Sequence, residues 1–155
     1  MQIRTVLNQG RAWAAVSGAQ SRELAGKQLV QTRLGHRAVL FGDWRKYYDA
    51  VRVVRAGVFG GRKVFGIQLD SAGLPPVLVA VDAETGDVLQ TQQTLSSEVG
   101  AMPTTTTYSD YREVGGLRLP HRYIESNDFV GRAIYQVERV EVGVELAPDT
   151  FTLKP

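Results

Sequence analysis

The chain contains no cysteine and only two histidines among its 155 residues. Without cysteine it forms no disulfide, no thiolate metal site and no cysteine nucleophile, so these supports and these classes of enzyme are excluded. Its 18 basic and 16 acidic residues leave a net charge of +2, a field too small to drive binding to nucleic acid. No run of about 18 apolar residues marks a membrane span, and the first residues lack the pattern of a signal peptide.

What remains is suited to one ordinary globular domain covering residues 1–155. The hydrophobic fraction of 43% is enough to build a core at this length. The chain opens directly in strand-like sequence, so we expect it to be an internal or C-terminal part of a longer exported protein. Its compartment would then be periplasmic or extracellular, and the alternative is a cytoplasmic protein.

Apolar and polar residues alternate along most of the chain, which predicts strands. Residues 2–7 and 12–17 flank a turn and predict a hairpin that carries Trp13. Seven further alternating segments follow at 51–59, 62–69, 77–81, 88–95, 104–114, 117–125 and 132–144. The turns between them are short and rich in glycine, as tight hairpins require. About nine strands in an up-and-down sheet are therefore expected, with a final turn that docks Phe151.

The one stretch with a helical pattern is residues 21–42. Ser21 suits the N-cap position, and Val30, Leu34 and Ala38 recur on one face of such a helix. A helix that is apolar on one side must bury that side against another element. We therefore expect this segment, together with the aromatic residues that follow it, to lie against the sheet.

The second half of the chain carries a family resemblance. The stretch TYSDYREVGGLRLP at residues 107–120 resembles the hairpin of outer-membrane lipoprotein-sorting-like proteins, the LolA/LppX-like superfamily. The stretch VDAETGDVL at 81–89 is similar to the turn that precedes that hairpin in the family, and NQGRAW at 8–13 is similar to the family's Trp hairpin. The resemblance covers residues 51–153 and rests on hairpin chemistry rather than on a catalytic signature.

The resemblance implies an α+β fold. It is a highly curved antiparallel meander, an unclosed half β-barrel, with a helical segment over its concave face. The implied function is a non-catalytic binding domain without a cofactor, whose partner is an apolar ligand such as a lipid or acyl chain, or a lipidated protein. Peripheral membrane contact is compatible with that role, and nucleic acid is not an expected partner.

Two alternatives to this function stay open. One is a solid-packed structural or interaction module attached to another exported domain, such as a peptidase. The other is a cofactor-independent enzyme built on the half-barrel. A cavity of about 300 Å³ or more would favour the binding domain over the packed module.

We expect the ligand site on the apolar concave face. Its candidate residues come from the Trp hairpin, from the segment after the helix and from three later strands: Trp13, Trp44, Tyr48, Phe65, Ile67, Leu69, Val79 and Tyr108. No metal ligand is assigned.

Three other clusters invite a chemical interpretation, and for each we favour a structural one. Asp110 and His121 could be drawn into a triad with a nearby serine, but no nucleophile elbow surrounds them, so His121 is expected to be a satisfied inner-face residue. Asp110 and Arg112 share a strand face and predict an ion pair. The carboxylates of residues 82–87 lack the spacing of a calcium loop, which favours a β-turn with Gly86 at positive φ.

The first strand also predicts self-association. In similar proteins another strand lies before residues 2–7, and we expect that neighbour to be missing here. An unpaired edge exposes a row of N–H and C=O groups, so we predict a two-fold homodimer joined through this N-terminal edge strand. The alternatives are that Arg4 and Arg11 blunt the edge by their charge, or that the terminal segment folds over it.

Size-exclusion chromatography with light scattering tests the dimer. A dimer that dissociates in the Ile3→Pro variant would support it, because proline removes a donor from the pairing strand. A monomer at high micromolar concentration would contradict it.

Overall fold

The computed structural model describes residues 3–16, 20–35, 37–97, 100–129, 131–147 and 149–151. The strands are β1 (Ile3–Asn8), β2 (Arg11–Val16), β3 (Arg22–Leu24), β4 (Ala50–Phe59), β5 (Arg62–Asp70), β6 (Val77–Asp82), β7 (Val88–Ser97), β8 (Gly100–Val114), β9 (Leu117–Asn127) and β10 (Gly131–Gln136). The helices are α1 (Gly26–Leu34) and α2 (Arg37–Leu40), followed by a 3-10 turn at Trp44–Lys46. Among these residues no helix is long and apolar enough to cross a bilayer.

Seven strands form the larger sheet as a simple meander in the order β10-β9-β8-β7-β6-β5-β4. Each pairs antiparallel with its neighbour along the chain. The Gly60-Gly61 turn has φ of 55° and 80°, and the Gly115-Gly116 turn has φ of 56° and 79°. Both central residues at positive φ are what a two-residue turn of type I′ requires. The predicted antiparallel meander is confirmed.

The N-terminal hairpin belongs to a separate three-stranded sheet in the order β1-β2-β3. We predicted one sheet containing all strands, with a helix starting at Ser21, and both expectations were wrong. Residues 22–24 pair with residues 12–14 of β2 instead. Across these two strands, the Arg11 guanidinium donates to both oxygens of the Glu23 carboxylate, at 2.7 and 2.8 Å. Because the charge of Arg11 is paired with that of Glu23, Arg11 is a poor candidate for preventing strand pairing at the β1 edge by charge repulsion.

The helical segment begins later than its sequence pattern predicts. α1 begins only at Gly26, whose φ of 53° marks a sharp change of direction after β3. Ala25 stands at the N-cap and makes no side-chain cap bond. The Gly35 N–H donates to the Gln31 carbonyl at 2.8 Å and ends the helix. The segment therefore consists of two short helices and a 3-10 turn.

Gln31 ties α1 to the larger sheet. Its side-chain amide donates to the Thr94 carbonyl and accepts from the Ser96 N–H, each at 2.9 Å. Both backbone groups lie beyond Gln92, whose pairing with Leu78 is the last step of the β6–β7 ladder. The amide thus satisfies strand groups that no neighbouring strand reaches, which is a recognised way to protect an edge.

The core lies between the helical segment and one face of the larger sheet, here called the inner face. Val39 and Tyr48 from the segment pack against Leu69, Val79 and Val88 from three neighbouring strands. Leu69 and Val79 are each only 1% exposed, so the centre of the inner face is solid. Burying an aliphatic side chain of this size stabilises the fold by roughly 1.5–3 kcal/mol. The prediction that the helical segment covers the sheet is confirmed.

The described residues after β10 lie against the β8–β9 hairpin and form no strand. Residues 132–144 were predicted as one strand, but β10 ends at Gln136. The Val137 N–H still donates to the His121 carbonyl at 2.7 Å, and the described residues beyond it form no further strand. Val142 packs directly on Gly115. The predicted docking of Phe151 was wrong, since that ring is 47% exposed.

Replacing Gly116 tests the hairpin geometry. A Cβ at Gly116 would meet nothing within 4 Å, so the cost of Gly116→Val is conformational. Placing a β-branched residue at positive φ should lower the free energy of unfolding by about 1–2 kcal/mol. Gly57→Val in β4 is the control, because its surroundings are equally open and its backbone is not left-handed. Urea unfolding that gives the same stability for both variants would contradict the assigned turn.

Candidate functional site

A cleft of about 390 Å³ opens where the helical segment meets the sheet, and we call it the inner cleft. One wall is the loop at residues 40–45. The floor carries Val51, Val81 and Val88, and the mouth is formed by the turn at 85–87 with Tyr111 and Arg118. Polar and apolar side chains share the lining about equally, and a concave site with an apolar floor and several convergent polar groups is a candidate for a small molecule.

The loop wall is held in place by its own aromatic residues. Trp44 donates its indole N–H to the Leu40 carbonyl at 2.7 Å, so its polar atom is satisfied and the ring can pack on apolar neighbours. Phe41 meets the Tyr108 ring edge-on, with the ring centres 5.6 Å apart. Burial raises the pKa of the nearby Tyr48 hydroxyl above its ordinary value. The wall therefore presents neutral aromatic surface to the inner face.

Arg118 and Asp87 close the mouth of the inner cleft as a bidentate pair. The guanidinium donates through Nε and Nη2 at 2.8 and 3.0 Å. The Asp87 side chain is only 5% exposed, so its charge is compensated by this one cation. The same guanidinium lies 5.6 Å from the centre of the Tyr111 ring, and the Tyr111 hydroxyl donates to the Val88 carbonyl. Burial, with the Asp87 charge second, raises the pKa of Tyr111 well above its ordinary value, which keeps it a neutral donor.

The turn at 82–87 positions this pair. Asp82 Oδ1 accepts from the backbone N–H groups of Glu84 and Thr85 at 2.9 and 3.1 Å, and Arg62 donates to Asp82 Oδ2 at 3.0 Å. The Glu84 N–H, then the Thr85 N–H and Arg62, hold the pKa of Asp82 below its ordinary value. Gly86 has φ of 76°. The favoured β-turn is confirmed, and the described residues contain no group of three or more side chains placed to hold a metal.

Two further clefts adjoin the inner cleft at Arg118. One of about 470 Å³ lies beside Tyr108 and Asp110. The other, of about 430 Å³, lies between Phe41 and residues 117–120. The Arg118–Asp87 pair therefore stands where three clefts meet. The sequence analysis did not single out this pair.

A row of tyrosines crosses β8, β9 and β10. Tyr108, Tyr123 and Tyr135 lie directly opposite one another in the strand register. The ring centres are 6.3 Å apart for the first pair and 4.6 Å for the second. Tyr123 and Tyr135 stack face to face, so these rings brace the strands as cross-strand pairs do. Tyr123 and Tyr135 were missed because alternation alone does not reveal which residues face each other across strands.

The structure brings six of the eight predicted site residues into one cluster, namely Trp44, Tyr48, Ile67, Leu69, Val79 and Tyr108. Trp44 also lines the inner cleft and Tyr108 lines the cleft beside it. Leu69 and Val79 are filled core instead. Ligand contact by any of the predicted residues stays a prediction.

The other two predicted residues lie apart from this cluster. Trp13 is in the three-stranded sheet, where the Arg11 guanidinium lies 5.0 Å from its ring centre. Its assignment to the concave face of the larger sheet was wrong because the hairpin forms its own sheet. Phe65 shares a strand with Ile67 but is 44% exposed, since it lies beyond the part of the sheet that the helical segment covers.

The histidine and its neighbours form no triad. His121 is 4% exposed, and its Nδ1 lies 3.1 Å from the Leu119 carbonyl. The Ser109 hydroxyl donates instead to the Arg122 carbonyl at 3.5 Å. The predicted pair is confirmed, because Arg112 donates to both oxygens of Asp110 at 3.0 and 2.6 Å. The other histidine, residue 36, lies outside the described residues.

Comparison with known proteins identifies the fold. No protein-family model matches the chain, and no curated protein matches it in sequence. An outer-membrane lipoprotein-sorting protein domain from Vibrio parahaemolyticus superposes with a TM-score of 0.56 at 14% identity, covering 87% of this chain. The fold is LolA-like. A LolA superfamily protein from Nitrosomonas europaea gives a TM-score of 0.57, also at 14% identity, covering 96% of this chain and 69% of its own.

The LolA-like fold agrees with the resemblance seen in the hairpin at residues 107–120. The present chain spans about 61% of the length of the Vibrio domain. At this level of identity the likeness concerns the path of the backbone. The chemistry of the site must therefore be read from this chain's own residues.

Asp82 should make the stability of the site depend on pH. Because the pKa of Asp82 is depressed in the folded state, its stabilisation is present above the unfolded-state pKa and is lost as the pH falls through the folded value. Asp82→Asn should therefore lower the melting temperature at neutral pH, and the difference should shrink below about pH 4. The exposed Glu84→Gln, in the same turn, should stay close to the parent protein. A deficit for Asp82→Asn that does not change with pH would contradict this role.

Proposed function

We propose that this protein is a non-catalytic binding domain that holds an acyl chain, from a lipid or a lipidated protein, in the inner cleft. The observation that carries the proposal is the cleft itself, with its floor of valines beneath the loop at residues 40–45. Its volume of about 390 Å³ lies within the range of small-molecule sites. Each methylene that such a ligand buries contributes about 0.8 kcal/mol.

The adjoining cleft extends the apolar path. It is lined by Phe41, Leu117, Leu119, Pro120 and Val140, and it shares Phe41 and Gly42 with the inner cleft. An acyl chain can therefore lie along both clefts while its polar end stays at the mouth. There the charges of Arg118 and Asp87 already neutralise each other, so the site suits an uncharged polar group such as an ester or amide.

The comparison with the lipoprotein-sorting domain supports the partner class. A lipidated protein is the partner whose acyl chains match the inner cleft, and a periplasmic or extracellular setting follows from that role. Peripheral membrane contact would accompany uptake or delivery of the chain. The domain would be part of a longer exported protein, with no cofactor involved.

A second candidate function is a solid-packed interaction module beside another exported domain such as a peptidase. The observation that favours it is the burial of Leu69 and Val79, each 1% exposed. The helical segment already fills the centre of the inner face, so only the end of that face is left for a ligand. Binding measurements separate the two candidates.

Leu40→Arg tests the inner cleft. Leu40 lines the cleft, is half-buried and lies outside the central cluster. A charged group there should weaken binding of a neutral fluorescent acyl probe, displaced by methyl laurate, at least about tenfold because the apolar lining cannot solvate it. Val58→Arg is the matched control, since Val58 is 73% exposed on β4.

Two outcomes would contradict the proposal. Equal binding by Leu40→Arg and the parent protein, both folded by circular dichroism, would place the probe elsewhere. No saturable, displaceable binding to the folded parent protein at high micromolar probe would favour the packed module.

A further inference from the structure

A second cleft, of about 410 Å³, lies between the N-terminal hairpin and the helical segment. We call it the hairpin cleft. Its lining comes from β1, from α1 and α2 and from residues 46, 47 and 71. It has no lining residue in common with the inner cleft. Its properties can therefore be argued and tested separately.

One side of the hairpin cleft is aliphatic. Leu7 from β1 faces Val30 and Leu34 from α1 and Val39 from α2. Val39 is 6% exposed and the other three are half-buried. Three secondary-structure elements thus build one apolar wall, which an unbranched hydrocarbon chain can cover.

The rim of the same cleft is cationic. It carries Arg33, Lys46, Tyr47 and Ser71, and no carboxylate is among the lining residues. Arg33 forms no ion pair with any residue in the described ranges. The nearest carboxylate to Lys46 is Asp43, at 3.9 Å, and both side chains are exposed, so that pair is weak. Two positive charges are therefore available to a ligand.

The two cations of the rim differ in this respect from Arg118 and Arg62. At the inner cleft Arg118 is held by Asp87, and beside it Arg62 is held by Asp82. Those guanidiniums complete internal pairs with carboxylates that are almost fully buried. Arg33 and Lys46 have no such internal role. Apart from the weak contact of Lys46 with Asp43, their charges are left for a ligand.

We propose that the hairpin cleft binds a single-chain amphiphile with an anionic head group, either a carboxylate or a phosphate. The hydrocarbon chain lies on the wall formed by Leu7, Val30 and Leu34. The head group lies between Arg33 and Lys46, where charge-assisted hydrogen bonds are about twice as strong as neutral ones. The same chemistry could come from a monomeric amphiphile or from an anionic membrane surface. The apolar wall favours the monomer, because a bilayer presents its head groups and not its chains.

The test uses the full chain, laurate as the anionic probe and dodecanol as the neutral probe of equal chain length. Titration calorimetry should show that the double variant Arg33→Gln/Lys46→Gln binds laurate at least about tenfold more weakly. Its binding of dodecanol should be unchanged. The control Lys27→Gln/Lys63→Gln removes two exposed cations that lie outside the cleft lining, and it should bind laurate as the parent protein does.

Backbone NMR of the parent protein locates the probe without any substitution. Laurate should shift the amide signals of Gly10, Val30, Tyr47 and Ser71, which line the hairpin cleft. Shifts confined to the inner cleft, around Val81 and Thr85, would overturn the proposal. So would equal affinity of the double variant and its control for laurate.

A binding experiment with lipid vesicles distinguishes a monomeric amphiphile from an anionic membrane surface as the source of the head group. Monomeric laurate should compete with the protein's binding to phosphatidylglycerol vesicles if both use this cleft, and phosphatidylcholine vesicles should not bind. Binding to the anionic vesicles with no binding of laurate would mean a membrane-surface patch and would overturn the cleft proposal. If the Leu40→Arg experiment shows that the inner cleft binds no acyl chain, this result still stands, because the two clefts share no lining residue.

Discussion

The structure depends on the burial of one face of the larger sheet beneath the helical segment. A sheet with an apolar face must remove that face from water, and here two short helices and a 3-10 turn do so. Val39 and Tyr48 reach the sheet at Leu69 and Val79, which are almost completely shielded. Gln31 fastens the start of this segment to the strand edge. Because the segment is short, it closes the centre of the inner face and leaves a cleft where it ends. The proposed acyl site exists because the helical segment is shorter than the sheet face that it covers.

Charge separates the two clefts that flank the helical segment. At the mouth of the inner cleft the charge of buried Asp87 is already paired, because its two oxygens accept from Nε and Nη2 of Arg118. The rim of the hairpin cleft carries Arg33 and Lys46 with no carboxylate beside them in its lining. Desolvating an unpaired anion is costly, whereas a head group placed between two cations regains that cost through charge-assisted bonds. The two clefts should therefore prefer chains of similar apolar character with different head groups.

Local signals predicted the hairpins well and the tertiary arrangement less well. The Gly115-Gly116 turn needs only positive φ, which neighbouring residues determine. The start of α1 was misplaced because residues 22–24 become a strand only by pairing with residues 12–14 of β2, which lie apart from them in the chain. Trp13 was misplaced for the same reason, because its hairpin and β3 together form a separate sheet. The Arg118–Asp87 pair joins residues 31 positions apart. No pattern within the turn at 82–87 or within β9 marks that contact, which depends on how the strands are arranged in the sheet.

The central claim is that a ligand chain lies between the helical segment and the inner face of the sheet. Intermolecular nuclear Overhauser effects between a protonated acyl probe and a deuterated protein with labelled methyl groups test it most directly. The account predicts contacts from the probe to the methyl groups of Leu40, Val81 and Val88, and none to the exposed Val58. Contacts to Val58, or a bound probe without contacts to any of the three cleft residues, would contradict it.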